Sequence, residues 1–502
     1  MASDEFHYFP QAETCRHGPF QWDDFSPGAL ARLDKQISGW EDTLGNRTDR
    51  SDVPGDPDSM IDIAVLRRVL RTLREQLGEV RFQETQPTFH LSVAAIGMAE
   101  ALAVGHHALE ARLQVLPDFM AQARRNLKLI PAHFRDLGLE MLESVRAWLV
   151  SLALEDRYVR PAFDALDDLH GHLRKIPVTV DFILPPAQLD RIVRHHIGCG
   201  MGVREIRCEL EQERAEMSAV LAEEGGRILP GHPWQAVMSH LPPPAPPEGG
   251  MSALYRSAID DLGRHCAAKG LIDASLLEAC PVRVAPVPPY LATIRSAAAY
   301  SMPPGHPPRG GTFYVDDRYH PDHLPHDFRL LTAHETYAGH HLLDTSRWGL
   351  PRPLRRHIEF PLFYEGWACF SEKLLFHTGF FTGPIDRFLL AKRRFWRAMR
   401  GLADLEIQTG RKTIPEAAEL LTTAGMGRRQ ALAMVRRYAL KPGYQLCYTI
   451  GMRWFERIYE SWRKEHTHPA DFTRIVFATG EIGLANLEKM VCRKEVCRTD
   501  RT

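Results

Sequence analysis

From residue 59 to residue 224 the sequence keeps placing apolar side chains three and four residues apart, a period that suits helices and little else. In "SMIDIAVLRRVLRTLREQLGEV" (59–80), Ile61, Val65, Leu66, Val69, Leu70 and Leu73 form one stripe, with Arg and Glu opposite. Similar stretches follow at 89–116, 117–128, 136–155, 158–175, 186–196 and 202–224. Residues 1–55, rich in Asp, Gly, Pro and aromatics, predict an irregular N-terminal segment with one helix near 28–42. The prolines of "SHLPPPAPPEGG" (239–250) cannot sit inside a helix, so a linker or a surface loop falls there. Alternation typical of strands is confined to "CPVRVAPVPPYL" (280–291) and "GGTFYVDD" (310–317), which predict two short strands at the edge of a small sheet. Helices resume from about 326. The expected class is mainly α with a small β element. It divides into the segment 1–55, a helical lobe over 56–240, and a second helical lobe over 241–502 that carries the chemistry.

At 502 residues, 44% of them hydrophobic, the chain has ample material for a large core. Its formal net charge of −1 offers no global field for nucleic acid or an acidic membrane. The local basic run "AKRRFWRAMRG" (391–401) predicts a solvated helix face or an anchor for a substrate carboxylate. No stretch reaches the roughly 18 apolar residues that span a bilayer. The N-terminus lacks a basic region followed by an apolar core, so no secretory signal is expected. Nine cysteines without a paired framework suit reduced thiols, and the expected location is cytoplasmic. The oligomeric state is left open.

"LTAHETYAGHH" (331–341) opens with His334-Glu335, the pair that starts the metal-binding helix of zinc peptidases. On a helix the two side chains point about 100° apart, so one can hold a metal while the other serves as general base. The second histidine is displaced. His341 would return to the face of His334 but about 10.5 Å along the axis, and His340 about 9 Å along and about 120° away. Neither imidazole reaches a shared ion without a break in the helix, and Gly339 is the residue that tolerates one. The alternative is a packed His334, with His340 and His341 at a helix end.

"EFPLFYEGWACFSEKLLFHTG" (359–379) reads as a helix apolar nearly all round, hence buried. Glu365 and Glu372 share one side of it, and buried carboxylates need a partner. A His-His-Glu set with Glu365 as third ligand satisfies one, leaving Glu372 to orient a histidine. An ion pair with Arg355 or Arg356 is the other solution. In "KPGYQLCYTIGMRWFERIYESW" (441–462), Tyr444, Tyr448 and Arg453 are either packing groups or donors aimed at an oxyanion. His320, His323 and His326 in "YHPDHLPHD" read as solvated or capping groups, and "RHHIGCG", with His195, His196 and Cys199, lacks the paired cysteines of a zinc site.

"AHETYAGHHL", "YEGWACFSE" and "YTIG", in this order, resemble the motifs H-E-x-x-P-G-H, E-G-W-A-x-x-x-E and Y-x-I-G of the bacterial domain of unknown function 885 family. The resemblance covers the chain from about 60 to the end, weakly in the N-terminal third. That family looks like a distant relative of helical zinc peptidases (gluzincins) such as thimet oligopeptidase and carboxypeptidase Taq, which implies a two-lobed helical body with a deep cleft. It further implies His334, His340 and Glu365 as metal ligands, Glu335 as general base and Tyr448 as oxyanion stabiliser. The family motif favours His340 over His341, and Ala338 departs from it where proline is usual. The strand in "GGTFYVDD" would then offer an edge to an extended peptide.

The expected activity is therefore a zinc-dependent hydrolase acting on a peptide or amide bond of a short peptide or small amide metabolite. Two rivals are a non-haem iron enzyme, which shares the two-histidine, one-carboxylate set, and a helical scaffold of the same fold without activity.

Overall fold

In the computed structural model the described residues are 22–49, 56–242, 244, 248–287, 298–301, 309–315 and 326–491. Contacts divide them into a unit running to Leu184 and a unit that takes the described residues from Pro185 on. The sequence-based boundary near 240 differs because the helix Val203–Ile228 packs along Pro384–Gln408 and so belongs to the second unit.

The first unit is helical, with the expected stretches realised as Pro57–Glu75, Pro87–Val104, His106–Gln114, Leu116–Asn126, Ala132–Ser151 and Asp156–Lys175. Val65, Leu70 and Leu73 of the predicted stripe are buried, while Arg67 and Arg71 are exposed. The N-terminal segment is more regular than expected, since Pro27–Asp49 is one helix. Among the described residues, a two-residue parallel pairing of Ile130–Pro131 with Val178–Thr179 is the unit's sheet structure.

The second unit holds every candidate site residue. Its elements used below are α1 (Val203–Ile228), α2 (Gly250–Ala268), β1 (Val282–Pro286), β2 (Ala298–Ser301), β3 (Gly311–Val315), α3 (Phe328–Glu335), α4 (His340–Arg347), α5 (Pro361–His377), α6 (Pro384–Gln408) and α7 (Leu446–Trp462). The sheet order is β1-β3-β2, with β3 parallel to β1 and antiparallel to β2. This corrects the expected edge strand: β3 is central and its ladder is occupied on both sides, so it has no free edge for a peptide. The remaining residues of 310–317, Asp316 and Asp317, lie outside the described residues, as do His320 and His323.

α5 is buried over its whole first three turns, from Pro361 to Glu372. It lies against α7 at a point where both chains carry glycine. A Cβ on Gly366 would lie 2.7 Å from Gly451 Cα, and one on Gly451 would lie 2.2 Å from the Leu362 carbonyl oxygen. The close approach brings the residues just before α7 beside Glu365, one position ahead of Gly366.

The basic run 391–401 falls on α6 and is not a solvated face. Arg393, Arg394 and Arg397 are buried and paired with carboxylates from distant parts of the chain. Arg394 joins Glu213 of α1 to Glu456 of α7, and Arg393 joins Glu372 to Asp327.

Candidate metal centre

The helix that begins at Phe328 stops at Glu335, and a new one begins at His340. Thr336 (φ −117°, ψ −132°) and Gly339 (φ −113°, ψ −122°) turn the chain between them. Neither value of φ is positive, so the glycine is not there for a left-handed conformation. It is there for space: a Cβ on Gly339 would lie 1.8 Å from the carbonyl oxygen of His334. The turn is held by the Thr336 hydroxyl donating to Thr332 O at 2.7 Å, and by the Trp367 indole N–H donating to Ala338 O at 2.9 Å. Ala338 thus serves through its carbonyl, which proline at this position would also provide.

The break sets the His334 and His340 rings 4.8 Å apart between centroids, instead of a helical rise of about 9 Å. Each Nε2 lies 3.5 Å from Glu365 Oε2. Two ligand atoms on one tetrahedral zinc, with bonds of about 2.0–2.1 Å, stand about 3.3 Å apart. Among the described residues, His334, His340 and Glu365 form a buried group whose ligand atoms lie within 4.8 Å of one another. Glu365 Oε2 is buried without a hydrogen bond. An orphaned carboxylate oxygen between two imidazole nitrogens is what a cation would satisfy, and the donor set fits zinc.

His341, the alternative second ligand, is engaged elsewhere. Its Nε2 lies 2.9 Å from Cys280 O and its Nδ1 2.8 Å from the Tyr300 hydroxyl. Burial, outweighing the bond to the Cys280 carbonyl, lowers its pKa to about 4, so it is neutral.

Behind the ligands is a charged layer. His334 Nδ1 is 3.1 Å from Glu372 Oε1 and 3.3 Å from Arg397 Nη2. Were Nε2 to hold a cation, the proton would sit on Nδ1 and Glu372 would be its acceptor. Glu372 is itself gripped by Arg393 and Arg397. Burial works to raise its pKa, but those two guanidinium groups and His334 hold it well below the usual carboxylate range. For Glu365, too, burial opposes ionisation and the contacts to His334 and His340 win, so it is a carboxylate. Burial pulls His334 down, while Cys369, Glu365 and Glu372 together raise it well above the ordinary histidine value. The pocket favours a positive charge at this point, whether a proton or a metal. Arg355 and Arg356, the alternative partners for a buried glutamate, donate to the carbonyls of Thr479 and Leu350.

Glu335, the residue after a ligand, is half-buried at the end of α3. Two tyrosines touch candidate ligands: the Tyr444 hydroxyl donates to Glu365 Oε1 at 3.0 Å, and the Tyr364 ring stacks on His340 with centroids 4.1 Å apart. Tyr448 lies 6.0 Å from Tyr444 between ring centroids, with the Arg400 guanidinium 4.5 Å over its ring. Arg453 does not face the site, being paired with Glu209, Glu213 and Glu216 of α1. Tyr444 had a signal in the sequence, the Pro-Gly punctuation that starts its turn, but nothing there told it from Tyr448. His326 lies 3.2 Å through Nε2 from Leu241 O, a capping role as expected.

No curated protein matches the chain. A solved "putative lipoprotein of unknown function" from Shewanella oneidensis is similar in fold, with a TM-score of 0.72, 12% identity and 96% of each chain covered. A second, a "putative lipoprotein" from Colwellia psychrerythraea, gives a TM-score of 0.73 at 16% identity, covering 93% of this chain and 91% of that one. The family model described as "Bacterial protein of unknown function (DUF885)" matches residues 15–491, starting well before the motif-based estimate of about 60. The chain belongs to the DUF885 family of bacterial proteins.

Proposed function

We propose that this chain is a zinc-dependent hydrolase that cleaves a peptide or amide bond in a short peptide or small amide metabolite. The observation that carries the reading is the convergence of His334, His340 and Glu365 on one point, with Glu365 Oε2 lacking any hydrogen bond there. When bound, zinc supplies a Lewis acid and lowers the pKa of a water. Glu335, adjacent in sequence to His334, takes the proton of the attacking water and returns it to the leaving amine. Glu372 keeps His334 in the tautomer that presents Nε2, and Tyr444 fixes the orientation of Glu365. Tyr448 donates to the oxyanion of the tetrahedral state.

A glutamate beside a ligand histidine is what hydrolysis needs and oxygen activation does not, which favours zinc over iron. The three motifs also support kinship with helical zinc peptidases. The free thiols Cys199, Cys208, Cys266, Cys280, Cys369 and Cys447 support a reducing, cytoplasmic setting. No helix among the described residues is long and apolar enough to cross a membrane.

The test is elemental analysis of protein purified without chelator, beside His340→Ala, followed by a screen of peptides and amides with Glu335→Gln as control. The reading expects about one zinc per chain, lost in His340→Ala, and turnover lowered about 10²-fold or more in Glu335→Gln. Full turnover in Glu335→Gln refutes it, and iron in place of zinc redirects it to oxidation.

A further inference from the structure

Helix α6 carries four arginines within eight positions, 393, 394, 397 and 400. Three of them are paired with carboxylates. Arg400 is not: among the described residues it has no ion pair, and its hydrogen bonds go to neutral groups. Nε donates to the Tyr438 hydroxyl at 3.1 Å and Nη2 to Gln445 Oε1. Its guanidinium lies 4.6 Å from the Trp396 ring centroid and 4.5 Å from that of Tyr448. These contacts fix the plane of the group without neutralising it, and Nη1 is left without a bond among the described residues.

A guanidinium largely withdrawn from water with no carboxylate in direct contact is costly unless an anion arrives. The nearest acid on its own helix, Asp404, does not serve: it accepts instead from the Gln445 backbone N–H at 3.2 Å. Burial, opposed by bonds from Gln445, Gly443 and Gln408 and by the charge of Arg400, raises Asp404 to about 7, so its hold on Arg400 is weak. A second unmet group stands beside the guanidinium, since the Trp396 indole Nε1 is buried without an acceptor. The site adjoins the metal centre: Gln445 follows Tyr444, which donates to Glu365, and the charge of Arg400 is felt at Glu365.

We propose that Arg400, held flat between Trp396 and Tyr448, receives a carboxylate of the substrate, so that the class acted on is a carboxylate-bearing peptide or acylated amino acid. Planar, bidentate recognition of a carboxylate is what arginine does better than any other side chain. The bond cleaved rests on the hydrolase reading above. The anion site does not.

The experiment measures binding, not turnover, with hippurate (N-benzoylglycine) and its uncharged amide hippuramide as probes. Saturation-transfer NMR titrations are run on the wild type, Arg400→Gln, Arg400→Lys and Glu335→Gln, each checked by thermal melting. Hippurate is expected to bind the wild type about tenfold or more tightly than hippuramide. Arg400→Gln should erase that preference and leave hippuramide binding unchanged, while Arg400→Lys keeps part of it. If Arg400→Gln does not fold, Arg400→Lys carries the test through a selective loss of hippurate affinity. Equal binding of the two probes, no hippurate binding at all, or a preference that survives in Arg400→Gln (a carboxylate held at the metal instead) overturns the proposal. Glu335→Gln should retain the preference. An active Glu335→Gln would sink the hydrolase reading while leaving this result standing, so the two fail separately.

Discussion

Gly339 and His334 are separated by five positions in sequence, yet a side chain on the glycine would lie 1.8 Å from the carbonyl oxygen of the histidine. The approach folds the chain between α3 and α4 sharply enough for His340 Nε2 to reach the same Glu365 oxygen that His334 Nε2 faces. Alanine at 339 must therefore open the turn. Gly339→Ala is expected to lose its metal, with zinc content below about a tenth of wild type, and to cost about 1–3 kcal/mol in stability through overpacking. Gly349→Ala, whose Cβ would meet only the Ser346 oxygen at 3.4 Å, is the control that keeps its zinc. Elemental analysis and urea unfolding of the pair decide it. Full zinc in Gly339→Ala would mean that the turn yields easily and does not set the site.

Glu372 has two duties, and substitution separates them. It accepts from His334 and it balances Arg393 and Arg397 in a fully buried position. Removing a buried carboxylate from two guanidinium groups is expected to destabilise by about 3–5 kcal/mol. Losing the acceptor of a ligand histidine costs about 10–100-fold in metal affinity. Glu372→Gln keeps an acceptor but not the charge, so it should lose stability while retaining more zinc affinity than Glu372→Ala. Unfolding and competitive chelation on both variants measure the two effects. Equal zinc affinity in the two would show that charge, not the hydrogen bond, is what His334 needs.

How much of this was legible without coordinates differs by residue. His334, His340, Glu365 and Glu372 stood out because polar groups at fixed spacing in apolar helices demand a partner, and the family motifs named the ligand set. The location of the helix break could be read from Gly339, but its cause, the His334 carbonyl oxygen, could not. Of the two readings of the α6 arginines, the solvated face fails for Arg393, Arg394 and Arg397, whose partners Glu213, Asp327, Glu372 and Glu456 are far away in sequence. Periodicity sees a charge but not what it meets. The central place of β3 was hidden because its second neighbour, "AAYS" at 298–301, has none of the β-branched enrichment that marks a strand.

In the first unit, His90 gives the fold a defined sensitivity to acid. It is fully buried, with Nε2 2.8 Å from Gln83 O and Nδ1 without a partner, among the rings of Phe25, Phe89 and Phe119. Burial lowers its pKa to about 4 against the bond to Gln83, compared with about 6.5 when unfolded. Between those values the unfolded chain takes up a proton that the folded one refuses. The stability at stake is thus present above about pH 6.5 and lost as pH falls through about 4, to a total of about 3 kcal/mol. His90→Gln, which keeps an N–H donor, is expected to flatten that part of the profile. Urea unfolding of the unit at pH 7, 5.5 and 4 checks it, and parallel profiles for variant and wild type would exclude His90 as the cause.

Two tyrosines four positions apart are assigned different duties by their contacts. Tyr444 donates to Glu365 Oε1, so Tyr444→Phe leaves the ligand carboxylate short of one hydrogen bond from a neutral donor to a charged group. Such a bond contributes about 1.5–3 kcal/mol, which corresponds to roughly a tenfold or greater rise in the zinc Kd, with turnover recovered when zinc is supplied in excess. Tyr448 carries the Arg400 guanidinium over its ring. Tyr448→Phe is expected to keep full zinc and to lower kcat about 10²-fold, as removal of an oxyanion donor does. Zinc titration and kcat measured on both variants separate the roles. Should Tyr444→Phe hold its zinc and lose kcat while Tyr448→Phe stays active, the oxyanion donor is Tyr444, and the residue implied by the family motif serves instead to stack on Arg400.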